Sequence, residues 1–209
     1  EVVADIERLG AQAVVFPADV ANAKALSAAV RGAAQALGGL DIIVNAAGIT
    51  SFGSAAALDE TEWDRVLAIN LKGVFLACQA AIAPLRARGG GRIVNIGSVL
   101  AKNGGNARPW IDPAEQNASA NVAYGVSKAG VHALTSYLAR ELAPFGITVN
   151  CVSPGPIASP MTTAFPKSLA SLIPLGRLGR PAEVAAAVKF LASDEAAFIT
   201  GEVLDINGG

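Results

Sequence analysis

The feature that most constrains the fold of this chain is a regular alternation of short apolar runs with longer helical periods. The apolar runs are rich in β-branched residues and close on Gly, Pro, Asn or Asp, so they predict strands. They cover residues 13–16, 41–45, 92–96, 147–152 and 202–206. Most of them are apolar at successive positions, which is typical of strands that are covered on both faces of a parallel sheet.

The segments between these runs have the apolar period of helices. They cover residues 2–9, 23–37, 61–86, 123–142 and 182–192. Strands and helices in alternation predict a doubly wound, Rossmann-like α/β fold of three layers, with a parallel sheet between helices. Such sheets bind ligands at the carboxyl ends of their strands, so candidate functional residues are expected there.

Composition limits the partners of the chain. Lys and Arg total 16 against 17 Asp and Glu, so no strong positive field is available for nucleic acid, and we expect no such partner. No long apolar run or signal peptide stands out, so we expect no membrane and a cytoplasmic location. Cys78 and Cys151 have no metal-ligand spacing, and no metal site is expected.

Tyr124 and Lys128 are four positions apart on a predicted helix, so both side chains emerge from one face. A phenol is a poor base at neutral pH, and a nearby ammonium group stabilises phenolate and lowers the phenol's pKa. Tyr124 could then exchange a proton with a carbonyl or alcohol oxygen. Taken alone, the pair is more typical of an exposed helix.

Polar or small residues follow two of the predicted strands. Ser98 follows the strand at 92–96, where its hydroxyl could hold a substrate oxygen or form a turn. The run 45–48, Asn-Ala-Ala-Gly, could admit a ligand against its backbone or form a tight turn. Asn70 interrupts an apolar helical period, either as a buried amide with partners or as the cap of a local kink.

These residues occur together, in the order in which the short-chain dehydrogenase/reductase family carries them. The chain resembles the compact, single-domain branch of that family over nearly its whole length. The motif positions are Asn45, Ala46, Ala47, Gly48, Asn70, Ser98, Tyr124, Lys128, Pro154 and Gly155. The resemblance implies NAD or NADP as cofactor and hydride transfer between nicotinamide and a carbonyl or secondary alcohol.

The resemblance also implies a role for each motif residue. Tyr124 would be the proton donor or acceptor, and Lys128 would lower its pKa and bind the nicotinamide ribose. Ser98 would orient the substrate oxygen, and Asn70 would hold a water in a proton relay. The implied cofactor-binding positions are Asp19 and Val20 near the adenine, Asn45, Ala46, Ala47 and Gly48 along the adenosine, and Pro154, Gly155, Ile157 and Ser159 near the nicotinamide.

No glycine-rich turn of the Gly-x-Gly-x-x-Gly type occurs in the sequence, and the chain begins within a helical stretch. A dinucleotide-binding sheet normally opens with a strand, that turn, and a helix whose N-terminal amides hold the pyrophosphate. We therefore expect residues 1–209 to form a single NAD(P)-binding domain that lacks the first strand–helix–strand unit.

Ser98 and Tyr124 are 26 positions apart, farther than is usual in the family, so the loop between them is enlarged. Its polar residues could bind a polyhydroxylated or anionic substrate, or could be solvated or contact another subunit. They are Asn103, Asn106, Arg108, Trp110, Asp112, Glu115, Gln116 and Asn117. We expect a sugar, polyol or small hydroxy compound as substrate. The alternatives are a 3-oxoacyl thioester and, in another class, a cofactor-binding regulator without catalysis.

His132 is the only histidine and lies one helical turn beyond Lys128. Without metal-ligand neighbours it is interpreted as a packing or surface residue. The same helix carries small residues that permit close helix approach, at Ala123, Gly125, Ala129, Gly130 and Ala133. Because family members associate through this region, a homotetramer or dimer is expected.

Overall fold

The computed structural model describes residues 2–105, 114, 119–159, 162 and 170–209. Within these ranges the core is a four-stranded parallel sheet whose strands lie side by side in chain order. The strands are β1 (Ile42–Asn45), β2 (Gly91–Ile96), β3 (Ile147–Pro154) and β4 (Val203–Ile206). The strands predicted at 41–45, 92–96, 147–152 and 202–206 are therefore confirmed.

Helices occupy the segments that the periodicity predicts, and one further short helix, which was not predicted, follows β2. They are α1 (Val2–Arg8), α2 (Ala23–Ala36), α3 (Glu60–Leu67), α4 (Gly73–Ala87), α5 (Leu100–Asn103), α6 (Val122–Leu142) and α7 (Pro181–Leu191). Local hydrogen bonds fix their first turns. The Asn22 side chain accepts from the main-chain N of Lys24 and of Ala25, both at 3.1 Å. A Glu183 carboxylate oxygen accepts from the main-chain N of Arg180 at 2.7 Å, which caps α7.

Successive residues of the central strands point to opposite faces of the sheet, and both faces are buried. Ile93 packs against α4 and α6, whereas its neighbour Val94 packs against α7. On β3, Cys151 likewise packs on the side of α4 and α6, and Val152 packs on the side of α7. The sheet therefore lies between two layers of helices, and the predicted three-layer, Rossmann-like class is confirmed.

The long helix predicted over residues 61–86 is interrupted by a π-helical turn, Ala68–Lys72, between α3 and α4. A π turn is a local irregularity that is frequent at functional sites, and this one carries the fully buried Asn70. By length and composition alone, the span Glu60–Ala87 could cross a membrane. Its inner face is part of the core against the sheet, through Val74, Cys78, Ala81 and Leu85.

The prediction of a strand at residues 13–16 is wrong for this structure. A strand needs a neighbour with which to form a hydrogen-bonded ladder, and none pairs with this segment within the described ranges. Phe16 packs against α2 instead, since a Cβ atom on Gly32 would lie 2.7 Å from its Cε1. β1 is an edge strand of the described sheet, and its Ile42 and Val44 remain 44% and 41% exposed.

Candidate active site

The carboxyl ends of the parallel strands meet at one edge of the sheet, where main-chain hydrogen bonds join the segments that follow them. The N–H of Val99 donates to the carbonyl of Pro154 at 3.1 Å, and that of Gly155 donates to Ile206 at 3.0 Å. Ser98, directly after β2, thus lies beside the Pro154 and Gly155 pair. This is the edge at which doubly wound sheets bind ligands.

Helix α6 brings Tyr124 and Lys128 to Ser98 at this edge. The Ser98 hydroxyl lies close enough to the Tyr124 phenol to lower its pKa. The Nζ of Lys128 lies 5.8 Å from the centroid of the Tyr124 ring. Lys128 and Ser98 are only 4% and 6% exposed. Three of the four side chains that the sequence predicts as catalytic, those other than Asn70, are therefore brought together in one largely buried site.

Lys128 is held by the sheet itself. Its Nζ donates to the main-chain carbonyl of Ile96, the last residue of β2, at 2.8 Å. An ammonium group has three donors, and this bond uses one of them. The position of the cation is thus tied to the same strand end that carries Ser98.

Burial controls the ionisation of Tyr124 and Lys128. Burial raises the pKa of the Tyr124 phenol above its ordinary value, and the neighbouring Ser98 hydroxyl acts in the opposite direction. Burial also lowers the pKa of the Lys128 ammonium. The lowering of the Tyr124 pKa that the sequence predicts is not what this structure shows, because desolvation of the phenol is the larger effect. Tyr124 therefore holds its proton at neutral pH, as a proton donor to a carbonyl must.

The Asn70 amide fastens the loop after β1 to α6. Its Oδ1 accepts from the main-chain N of Ile49 at 2.8 Å, and its Nδ2 donates to the Ile49 carbonyl at 2.9 Å. The same Nδ2 donates to the Ser127 hydroxyl at 3.1 Å, and Ser127 donates to the Tyr124 carbonyl at 2.7 Å. Asn70 is thus a buried amide with partners. Its predicted water-holding role stays a prediction, and Ser127 was missed in the sequence.

Asn45 begins a chain of buried polar side chains that runs across β2 to α6. Its Nδ2 donates to Asn95 Oδ1 at 2.8 Å, and Asn95 Nδ2 donates to Thr135 Oγ1 at 2.9 Å. The Asn45 side chain is therefore turned into the protein, so that a contact with adenosine would come from its main chain. Sequence reasoning missed Asn95 and Thr135, although an Asn within an apolar strand was the available signal.

Residues 46–48 are exposed, and Gly48 lies close to the Lys128 ammonium. A Cβ atom on Gly48 would lie 3.4 Å from Asn70 Oδ1 and 3.5 Å from Lys128 Nζ. A buried ammonium with further donors beside a loop of small residues fits the ribose hydroxyls of a nicotinamide dinucleotide. Gly155 lies so close to the backbone of Asn207 in the same chain that a Cβ atom on it would lie 2.9 Å from Asn207 Cα.

Thr162, which sequence reasoning missed, shapes the segment after β3. Its hydroxyl donates to the Ile157 carbonyl at 2.6 Å and accepts from the main-chain N of Ser159 at 2.9 Å. Ile157 also forms a β-bridge with Gly179. Two predicted cofactor-binding positions, Ile157 and Ser159, therefore lie in one fastened turn that follows Pro154. A Thr three positions after a Ser is common in turns, so the sequence signal is weak.

Asp19 and Val20 form the turn that leads into α2. The Asp19 carboxylate accepts from the main-chain N of Ala21 at 2.9 Å. Val20 packs on α4, where a Cβ atom on Gly73 would lie 3.1 Å from its Cγ2. The turn is thus fixed between α2 and α4, and its contact with adenine stays a prediction.

The enlarged loop between Ser98 and Tyr124 is described only at its ends. Asn103 closes α5, and Lys102 of the same helix forms an ion pair with Asp205 of β4 at 2.9 Å. The other predicted substrate-binding residues, Asn106, Arg108, Trp110, Asp112, Glu115, Gln116 and Asn117, lie outside the described residues. In the described part of the chain, no group of three or more His, Cys, Asp or Glu side chains could hold a metal ion.

Comparison with known proteins identifies relatives over the whole chain. Residues 1–209 match the family model described as Enoyl-(Acyl carrier protein) reductase. A 3-oxoacyl-(acyl-carrier-protein) reductase FabG from Staphylococcus aureus is 40% identical over 212 residues, spanning 100% of this chain and 81% of that protein. A hydroxy(phenyl)methylsuccinyl-CoA dehydrogenase subunit from Thauera aromatica is 40% identical over 196 residues, spanning 92% and 73%. The solved structure of a short-chain dehydrogenase/reductase double mutant from Serratia marcescens has a TM-score of 0.88 and 36% identity, covering 100% of this chain and 80% of that one.

A Rossmann-like parallel sheet with Ser, Tyr and Lys side chains at its ligand edge defines an oxidoreductase that uses NAD or NADP. The chain belongs to the short-chain dehydrogenase/reductase family, in its compact branch. The resemblance stated from the sequence motifs is therefore confirmed, and so is the expectation of an enzyme.

Proposed function

We propose that this chain reduces the 3-oxo group of an acyl thioester, with Ser98, Tyr124 and Lys128 as catalytic residues. The observation that carries the chemistry is the position of the buried Lys128 ammonium 5.8 Å from the ring of Tyr124, with the buried Ser98 beside a phenol whose pKa burial keeps high. The substrate class is supported by two relatives at 40% identity whose names specify a 3-oxoacyl substrate and a hydroxyacyl-CoA substrate.

In this mechanism the Ser98 hydroxyl donates a hydrogen bond to the substrate carbonyl oxygen and holds it beside Tyr124. A nicotinamide cofactor, when bound, would supply the hydride for the carbonyl carbon. Tyr124 donates its phenolic proton to the oxygen, so that the carbonyl becomes a hydroxyl group. Lys128 would hold the ribose of the cofactor with its remaining N–H groups, and its charge compensates that of the phenolate which forms on Tyr124.

A second candidate is oxidation of a sugar, polyol or small hydroxy compound. The polar composition of the loop between Ser98 and Tyr124 favours it, because such side chains can bind several hydroxyl groups. A cofactor-binding regulator without catalysis is less well supported, since Tyr124 and Lys128 are both present and lie at one site.

The test uses the full natural polypeptide with NADH and NADPH. We expect a higher kcat/KM with an acetoacetyl thioester than with any member of a sugar and polyol panel. Tyr124→Phe should lower kcat/KM about 10²–10⁴-fold, because it removes the proton donor. Tyr137→Phe is the matched control, since Tyr137 lies on the same helix but is 78% exposed. Turnover of a sugar without turnover of the thioester, or an active Tyr124→Phe, contradicts the proposal.

We also propose that the chain forms a homo-oligomer, a tetramer or a dimer, through the outer face that α3, the π turn, the start of α4 and α6 form. An apolar groove of about 680 Å³ lies there, lined chiefly by Leu67, Leu71, Phe75, Gly130 and Leu134. Gly130 lets α6 approach Leu71 of the π turn closely, since a Cβ atom on Gly130 would lie 2.7 Å from Leu71 Cδ2. Asp64 and Lys72 also line the groove with opposite charges, so a copy related by a two-fold axis can pair them.

A cytoplasmic location is proposed on the state of the cysteines. Cys78 and Cys151 are both free and buried. Free thiols are typical of reducing compartments. Fractionation of cells that produce the natural polypeptide tests this location, and recovery in a membrane or secreted fraction contradicts it.

A further inference from the structure

The imidazole of His132 packs directly against the backbone of Gly97. His132 lies on α6, four positions after Lys128. A Cβ atom on Gly97 would lie 2.7 Å from His132 Cδ2 and closer still to Nε2. Only glycine leaves room for the imidazole at this place, so the two residues are sterically matched.

Lys128 and His132 act on the same short piece of β2 from successive turns of α6. Lys128 donates to the Ile96 carbonyl, and His132 covers the Cα of the next residue, Gly97. The N–H of Gly97 donates to the Val152 carbonyl at 2.8 Å. The peptide that joins Ile96 and Gly97 is therefore held by the ammonium, by the imidazole and by β3.

The imidazole lies among charged and titratable groups on every neighbouring element. Lys128 faces it from α6, Lys102 from α5 and Asp205 from β4, and Cys151 of β3 adjoins the same space over Gly97. Burial lowers the pKa of His132, the two lysines act in the same direction, and Asp205 opposes them. Its Nε2 is buried and has no hydrogen-bond partner within the described ranges. Protonation would place a third cation here, so the ring is neutral at neutral pH.

We propose that the neutral imidazole of His132 is a positioning residue for Lys128. By filling the space over Gly97, it fixes the Ile96 carbonyl, which in turn fixes the distance between the Lys128 ammonium and Tyr124. The inference rests on the roles proposed above for Tyr124 and Lys128. Loss of the imidazole lets the carbonyl and the ammonium shift, so that the phenolate is stabilised less and the apparent pKa of Tyr124 rises.

The test follows the oxidation of a 3-hydroxyacyl thioester by the full natural polypeptide over pH, since this direction needs the phenolate. For His132→Ala we expect kcat to fall about tenfold. The acid limb of the profile of kcat against pH should move to higher pH by about half a pH unit or more. KM for the thioester should change less than about twofold, because His132 touches no substrate atom. His132→Gln, which can still reach over Gly97, should keep most of the wild-type profile.

Ser136→Ala is the matched control, because Ser136 lies one turn farther along α6 and is exposed. If His132→Ala does not fold, His132→Asn gives the same comparison with a side chain too short to cover Gly97. A profile without a shift, even with a lowered Tm, shows a merely structural role and overturns the inference, as does an equal shift in Ser136→Ala. An active Tyr124→Phe would overturn the proposed function itself, whereas an inactive Tyr124→Phe with an unshifted His132→Ala overturns this inference alone.

Discussion

The Nζ of Lys128 donates a 2.8 Å hydrogen bond to the carbonyl of Ile96, so the ammonium is anchored to a strand of the sheet. Ser98 follows the same strand two residues later. The cation and the hydroxyl are therefore aligned by one piece of backbone, although 30 positions separate them in the chain (128 − 98). Alignment of this kind is what a protein contributes to a cofactor-dependent reaction.

Replacing Lys128 by Met tests the importance of this anchored cation. Met is similar in length but has no charge and no donor, so kcat/KM should fall about 10²–10⁴-fold. Lys128→Arg keeps the charge, but its planar guanidinium is a poor substitute for a compact ammonium in a buried site, so it should restore little activity. Steady-state kinetics checks both variants, with circular dichroism to confirm folding. Near-normal activity of Lys128→Met would remove Lys128 from the mechanism.

The direction of the Tyr124 shift predicts opposite pH dependences for the two directions of the reaction. Burial raises the pKa of the phenol, so it stays protonated through neutral pH. Reduction needs this proton, and its rate should be level through neutral pH and fall as the pH rises through that pKa. Oxidation needs the phenolate and should rise over the same range. Ser98→Ala removes the hydroxyl that lowers the pKa of Tyr124, so both limbs should move to higher pH. A reduction rate that increases in alkaline solution contradicts the assignment.

The placement of Ser98, Tyr124 and Lys128 could be predicted from the sequence, because it follows from local patterns. Ser98 comes directly after an apolar strand, and Tyr124 and Lys128 are one turn apart on a helix, so parallel strand order brings them to one edge. The same local reasoning fails at residues 13–16. That run has strand composition, but a strand also needs a partner, and pairing is a tertiary property.

The orientation and environment of single side chains could not be predicted in this way. Asn45 ends β1 as expected, yet its amide points to Asn95 inside the protein. The pKa of Tyr124 depends on how deeply the phenol is buried, which the spacing to Lys128 does not reveal. The contact between His132 and Gly97 joins two elements that are 35 positions apart (132 − 97), and it depends on their packing.

Thr135→Val tests the buried polar chain that begins at Asn45. The substitution keeps the shape but removes the hydroxyl that accepts from Asn95 Nδ2, so a fully buried amide loses its acceptor. The free energy of unfolding should fall by about 1–3 kcal/mol. Ser136→Ala, at the exposed next position, should change it by about 0.5 kcal/mol or less. Urea denaturation measures both, and equal effects of the two variants would show that the Asn95 contact is unimportant.

The two thiols should be inert in the folded protein. Burial raises the pKa of Cys78 to about 12 and that of Cys151 to about 11, and only the thiolate is a nucleophile. Both should react with a disulfide reagent at neutral pH only after unfolding. Both thiol pKa values are higher in the folded protein than the ordinary pKa of 9.0. The free energy of unfolding that this shift contributes is therefore fully present below pH 9.0 and is lost as the pH rises through the raised pKa values. Rapid reaction of either thiol in the native protein would contradict this burial.

Phe75→Arg tests whether the apolar groove between the π turn and α6 receives a second copy. Phe75 is 41% exposed and lines the groove, and a cation there would have to be desolvated in an apolar interface. We expect the variant to sediment as a smaller species than the wild type at low micromolar concentration. Leu37→Arg is the control, since Leu37 is also exposed but follows α2 and does not line the groove. If Phe75→Arg and the wild type sediment alike, the groove is not the contact between copies, and an oligomer would have to form through another face.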